Sequence, residues 1–145
     1  MSISGALNIA VSGIQAAGNQ TRNAASNLAN ISSVAAPADE VLRPDQPLPE
    51  TNANGETIFR PTEIQSTTAG AAGVRTQTSL VDPASFPVYN PSAPDANADG
   101  ISSVANVSIA DETVNLIQAQ RQLEANVAVL QTGDELLEET LDILA

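Results

Sequence analysis

The chain has no cysteine, histidine, lysine or tryptophan, and its only aromatic residues are Phe59, Phe86 and Tyr89. Each absence removes a class of chemistry. Without cysteine or histidine there is no disulfide, no thiolate nucleophile, no imidazole general base and no zinc site of the usual kind. Without lysine there is no polybasic membrane anchor. The five basic residues are all arginine: Arg22, Arg43, Arg60, Arg75 and Arg121. Against 17 acids they leave a net charge of −12, which argues against a nucleic-acid partner, because phosphates need a cationic patch. No stretch approaches the ~18 apolar residues of a membrane span. The opening MSISGALNIAVSG lacks the basic n-region and apolar run of a cleaved signal peptide. A cysteine-free chain suits export, here by a route other than a signal peptide.

What is present fits one modest domain of 145 residues. Hydrophobic residues make up 42%, but many are alanine, which buries little area, so a thick self-sufficient core is not expected. Residues 2 to about 33 read as a helix. Steps of four and three give Ile3, Leu7, Ala10, Ile14, Ala17, Thr21, Ala24, Leu28 and Ile31, a heptad seam. Residues 109–144 repeat the pattern more sharply, with Ile109, Leu116, Leu123, Leu130, Leu137 and Leu144 at every seventh position. Thr113, Gln120, Val127, Asp134 and Leu141 form a weaker companion row. Ser108 and Asp111 read as a capping box, and Gly133 as a soft spot where the helix bends. The seams fit either a two-helix hairpin packed on itself or packing between subunits.

Charge separates the two helices. Residues 1–33 hold no acid and one arginine, whereas residues 108–145 hold eight acids against Arg121, a net −7. Asn19, Asn23, Asn27 and Asn30 make an uncharged stripe on the first helix. A solvated face normally carries Lys and Glu, so this helix is expected to be surrounded by protein on most sides. Its asparagines and Gly13 are also poor helix formers, so it needs a packing partner.

The middle is poor in periodic structure. Residues 37–55 contain Pro37, Pro44, Pro47 and Pro49 and read as loop. Runs near 56–67 and 73–81 suggest a β-hairpin. Pro83, Pro87, Pro91 and Pro94 then enforce extended, turning chain. Within that stretch DANADG, from Asp95 to Gly100, spells the first half of an EF-hand loop. Position twelve is Asn106, which cannot give a bidentate carboxylate, and no helix can enter through the prolines. Asp95, Asn97, Asp99 and Gly100 therefore read as turn residues. Acid pairs such as Asp39/Glu40, Asp95/Asp99 and Asp111/Glu112 lie on expected loops or helix starts without a cleft, so a carboxylate-based hydrolase is the weakest reading.

VYNPSAPDANADG (88–100) followed by ANVS (105–108) resembles the pattern of the flagellar basal-body rod proteins of the FlgC type. LEANVAVLQTGDELLEETLDILA resembles the shared rod–hook ending, through Ala125, Asn126, Leu130, Thr132, Asp134, Glu135 and Leu137. Residues 5–13, SNLAN (26–30), FRP (59–61) and GVR (73–75) are similar to the family as well, while Leu123 and Leu136 replace its tyrosine and methionine. The resemblance marks Ala29, Asn30, Tyr89, Pro91, Pro94, Asp95, Gly100, Asn106, Ala125 and Asn126 as family-motif positions. It implies a non-enzymatic structural subunit of the proximal rod, helping to transmit torque from motor to hook. Its partners would be other rod proteins, copies of itself and the flagellar type III export apparatus, and its place the periplasmic rod. No cofactor is implied.

The resulting expectation is a mainly α protein. Its N- and C-terminal helices, 1–33 and 108–145, form one helical assembly domain and pair as an antiparallel, coiled-coil-like hairpin. A loop-rich middle segment, 34–107, carries a small β-hairpin. The assembly interface is expected at Leu7, Ile14, Leu28, Ile31, Ile109, Leu116, Leu123, Val127, Leu130, Leu137, Leu141 and Leu144. The alternative is a helical adaptor or export chaperone that grips a partner helix.

Overall fold

The structure is a computed structural model and describes residues 2–37, 48–52 and 55–144. Most of the proline-rich loop expected over 37–55 lies outside the described residues. Two long helices flank two small two-stranded sheets, a mainly α arrangement. Helix α1 spans Ile3–Ala29. Ser2 caps it, its hydroxyl accepting from the Gly5 amide at 3.3 Å. Its end comes two residues before Ile31, the last position of the apolar pattern. The Asn30 side chain donates to the Ser26 carbonyl at 2.9 Å, and the chain turns at 30–32. Helix α2 spans Ile109–Leu144, the stretch marked by the heptad. It runs unbroken through Gly133.

Strands β1 (Thr62–Thr68) and β2 (Val74–Leu80) form the first sheet, joined by a single 3-10 turn at Gly70–Ala72. So short a connection makes them an antiparallel hairpin. Residues 56–61, expected in its first strand, instead make isolated bridges, Thr57 with Thr51 and Phe59 with Ala35. Strands β3 (Ser85–Tyr89) and β4 (Ile101–Ala105) form a second antiparallel hairpin, where the prolines had suggested only extended, turning chain. Pro87 is tolerated in β3 for a geometric reason. Asn90 donates to Gly100 and Asn106 to Ala84, which sets the hydrogen-bonded pairs. Pro87 opposes Ser103 in the alternate, unbonded set, so no ladder bond is lost.

The chain divides into two compact units. The first comprises residues 1–25, 64–78 and 110–145. In it the hairpin turn rests on α1: the Ser12 hydroxyl donates to the Ile9 carbonyl at 2.7 Å and accepts from the Val74 amide at 3.0 Å. Asn19 donates to the Thr76 hydroxyl at 2.7 Å. Gly73 has φ +87°, and a Cβ there would run into the Ser12 side chain and stand 3.2 Å from the Ile9 Cα. The second unit comprises residues 26–63 and 79–109. In it Asn27, 2% exposed, brackets Thr62: its side-chain nitrogen donates to the Thr62 carbonyl at 2.8 Å, and its oxygen accepts from the Thr62 amide at 3.2 Å. Ala35, Ala36, Ile58, Pro61 and Ala105 are buried here, and the Ser85 hydroxyl donates to the Ala36 carbonyl.

The core is thin. Among the described residues the buried hydrophobic side chains are eight alanines and Ile58. Each buried methyl contributes only about 0.8 kcal/mol, against ~1.5–3 for a leucine. Among the described residues no helix is long and apolar enough to cross a membrane.

Candidate assembly interface

Helix α2 carries two adjacent rows of different character. Three residues beyond Leu116, Leu123 and Leu130 stand Ala119, Asn126 and Gly133. Ala119 and Gly133 are buried and Asn126 half-buried. On α1, Ala10, Gly13, Ala16, Ala17 and Ala24 are buried. Small residues on two helices let their backbones approach closely. Two glycines act as reciprocal sockets. A Cβ on Gly13 would lie 2.6 Å from the terminal atoms of Asn126 and 2.7 Å from its Cγ. A Cβ on Gly133 would lie 2.5 Å from Leu7 Cδ2. Asn126 thus fills the space over Gly13, and Leu7 the space over Gly133. The Asn126 amide is fixed in place by donating to the Gln122 carbonyl at 2.7 Å. Glycine inside a helix costs roughly 1 kcal/mol relative to alanine; here it admits a neighbour that alanine would exclude.

The second row carries larger side chains that the chain itself leaves uncovered. Leu116 and Leu130 are half-buried, but Leu123 is 38% exposed, Leu137 40% and Leu141 68%. Ile109 and Val127 are exposed too, as are Thr113, Gln120 and Asp134 of the companion row. The Leu144 side chain lies outside the described residues. On α1, Leu7, Ile14 and Leu28 are half-buried, and so is Ile31 just past the helix end. Of the expected interface residues, Leu7 is the one set into a glycine socket. Ile3, Ala6 and Leu7 also line, with Val129, Gly133 and Leu136, an open apolar groove of about 330 Å³.

Sequence reasoning did not single out the row Ala119, Asn126, Gly133. A signal was present, because these residues recur at the same seven-residue interval as the leucines. Size concealed it: periodicity scored by hydrophobicity favours Val127 and Leu141 over alanine and glycine.

Most family-motif positions gather on the β3–β4 hairpin. Gly100 has φ +73°, and a Cβ on it would lie 3.0 Å from the Tyr89 ring and 3.1 Å from Pro91 Cβ. Tyr89 is otherwise 74% exposed, and Pro91 and Pro94 are exposed as well. The Asp95 carboxylate accepts from the Ser102 hydroxyl at 2.8 and 2.9 Å and from the Ser103 amide at 3.2 Å. The Asn97 side-chain oxygen accepts from the amides of Asp99 and Ile101 at 2.9 and 3.0 Å. Ile101 and Ser103 belong to the unbonded pairs, so their amides point away from β3. The EF-hand-like letters therefore close the outer edge of a strand. Among the described residues no group of acids could hold a metal ion. Asn106 donates through its side chain to the Pro83 carbonyl at 2.9 Å, and Asn30 sits at the end of α1. Ala29 and Ala125 are exposed on the helices, and Asn126 is the residue over Gly13.

Comparison with known proteins agrees with this distribution of motifs. The family model described as flagellar basal body rod FlgEFG protein C-terminal matches residues 98–143, from the edge of β4 through α2. The flagellar basal-body rod protein FlgC of Yersinia enterocolitica is 33% identical over 144 residues, covering 99% of this chain and 98% of the relative. That of Bacillus subtilis is 30% identical over 142 residues, covering 94% and 95%. That of Buchnera aphidicola subsp. Baizongia pistaciae is 38% identical over 72 residues, about half of each chain at 49% and 53%.

Proposed function

The chain belongs to the flagellar basal-body rod protein FlgC family, and we propose that it serves there through its terminal helices. It is a structural subunit of the basal-body rod, not an enzyme. Residues 1–33 and 108–145 act together as its assembly domain. The helices pair as an antiparallel, coiled-coil-like hairpin. Support for the sense of pairing comes from the sockets: as α1 advances from Leu7 to Gly13, its contacts on α2 retreat from Gly133 to Asn126. The hairpin then packs against the helices of neighbouring rod subunits, in the periplasmic part of the proximal rod, and helps carry torque outward.

The observation that carries this reading is the allocation of side-chain size. Gly13 and Gly133 each give room to a side chain of the other helix, while ten large apolar side chains on α2 are exposed. Apolar surface on that scale marks an interaction site. A core of alanines leaves the lone subunit weakly ordered, which suits passage through an export channel followed by folding on assembly. The test is Leu123→Asp or Leu141→Asp in the living cell. Either substitution should block rod completion and swimming while the protein is still exported, and the wild-type protein should be found in purified basal bodies. Normal swimming by both mutants would rule the packing role out.

A further inference from the structure

We propose that the exposed leucine stripe of α2 is built for one kind of neighbour: an amphipathic helix of a different protein, bordered by arginine or lysine, rather than a second α2. That a neighbour exists rests on the rod-subunit reading above; which neighbour it is follows from charge. Leu123, Val127, Leu137 and Leu141 are exposed, whereas the small-residue row is taken up by α1. Over the same stretch, residues 123–143 carry six acids and no base. Glu124 and Glu138 stand directly after the leucines of the seven-residue row, and Asp134 stands in the companion row between Val127 and Leu141.

Charges that flank a helical seam select the partner. Two α2 helices laid together would set acid against acid along the seam, which disfavours the pair. A cationic helix would find Glu124 and Glu138 along one flank of the seam, the other flank being the small-residue row. Asp134 narrows the choice, because docking carries its carboxylate into the seam itself. A desolvated carboxylate requires a cation or several donors. The partner therefore places an arginine or lysine opposite Asp134, with arginine the better fit for its planar fork. The α1 helix of another copy has no acid to repel α2, but Arg22 is its single base, too few for the seam.

The test titrates the full chain with synthetic helical peptides, read by fluorescence anisotropy. One peptide has a leucine stripe flanked by lysine, a second has the same stripe flanked by glutamate, and a third is the lysine peptide scrambled to destroy the stripe. The lysine-flanked peptide is expected to bind about tenfold or more tighter than either control. Its affinity should fall about tenfold as salt rises from ~0.1 to ~1 M and the screening length shrinks from ~10 to ~3 Å. Leu137→Ser should abolish this binding, and the double substitution Glu124→Lys with Glu138→Lys should transfer the preference to the glutamate-flanked peptide. These residues are exposed, and an unchanged circular dichroism spectrum verifies that each variant keeps the parent's structure. Equal binding of the three peptides, or an unaltered preference in the charge-reversed variant, overturns the assignment. So does low-salt self-association of the chain that Leu137→Ser removes, though the rod-subunit reading would survive it. The packing role proposed for the terminal helices fails separately if cells carrying Leu137→Ser build rods and swim normally.

Discussion

Replacing Gly13 and Gly18 by alanine, one at a time, should move stability in opposite directions although both glycines lie on α1. Glycine to alanine in a helix interior gains roughly 1 kcal/mol from backbone entropy alone. Gly18 has nothing within 4 Å of where its Cβ would stand, so it should realise that gain. At Gly13 the new methyl would lie 2.7 Å from Asn126 Cγ. A terminal methyl on a long chain could swing aside, but Cγ is the branch point of a short side chain. Asn126 must rotate away from the Gln122 carbonyl or the helices must part. Overpacking of this kind costs ~1–3 kcal/mol, and the lost hydrogen bond adds ~0.5–1.5. The net change for Gly13→Ala is a loss of about 0.5–3.5 kcal/mol after the helical gain is subtracted. Far-ultraviolet circular dichroism through a trimethylamine N-oxide titration suits a chain with so thin a core, because excluded osmolytes favour the buried state. The osmolyte midpoint should rise for Gly13→Ala and fall for Gly18→Ala. Asn126→Ala in the Gly13→Ala background should recover part of the loss, a coupling read by a double-mutant cycle. If the two glycine variants shift alike, α1 and α2 are not pressed together at this point.

Substitutions at three further positions probe the other contacts. Gly73→Ala combines φ +87° with a backbone atom of α1 3.2 Å from the new methyl, so it should lose ~1–3 kcal/mol from backbone strain alone; an unchanged osmolyte midpoint would contradict the packing of the turn on Ser12. Asn27→Asp keeps the acceptor for the Thr62 amide but sets a carboxylate oxygen against the Thr62 carbonyl, now 2.8 Å from a donor. Amide hydrogen exchange should quicken at residues 58–62 in that variant and more so in Asn27→Ala, which removes both bonds at ~0.5–1.5 kcal/mol each. Asp95→Ala frees the Ser103 amide on the outer edge of β4, so Tyr89 fluorescence should change and strand-mediated self-association should increase. Millimolar calcium should alter neither the parent nor this variant, and a calcium-dependent spectrum would restore the metal reading of the loop.

The helices were the most legible part of the sequence because heptad spacing is a direct image of helix geometry. For α2 the leucine row and the Ser108 start coincide with Ile109–Leu144. The stop of α1 was less legible, since Asn30 ends it by bonding to Ser26 while the apolar pattern runs on to Ile31. The β1–β2 hairpin was visible, with its first strand beginning later, at Thr62. The β3–β4 hairpin was hidden by Pro87, whose acceptability depends on pairing register, a property two strands acquire only together. The asparagine stripe was expected to meet surrounding protein. Asn19 meets Thr76 and Asn27 meets Thr62, both from the same chain. Periodicity reveals that a face is covered, but not whether the cover is the chain itself or a neighbour.

That distinction explains the division of labour between the two rows of α2. In an ordinary helical hairpin the largest apolar side chains point at the partner helix, because burial energy grows with area. Here the inward row is Ala119, Asn126 and Gly133, and Leu123, Leu137 and Leu141 are left exposed. Close approach of small residues fixes register through shape, as Asn126 over Gly13 does, while contributing little burial per contact. Leucines contribute ~1.5–3 kcal/mol each when fully buried, a gain that the proposed packing against a neighbour would release. In the proposed hairpin the small-residue row sets the register of the two helices, and the exposed leucines add stability only on assembly. Exchanging the roles, with leucine at Ala119 and alanine at Leu123 and Leu137, should yield a subunit unable both to close on itself and to add to a rod.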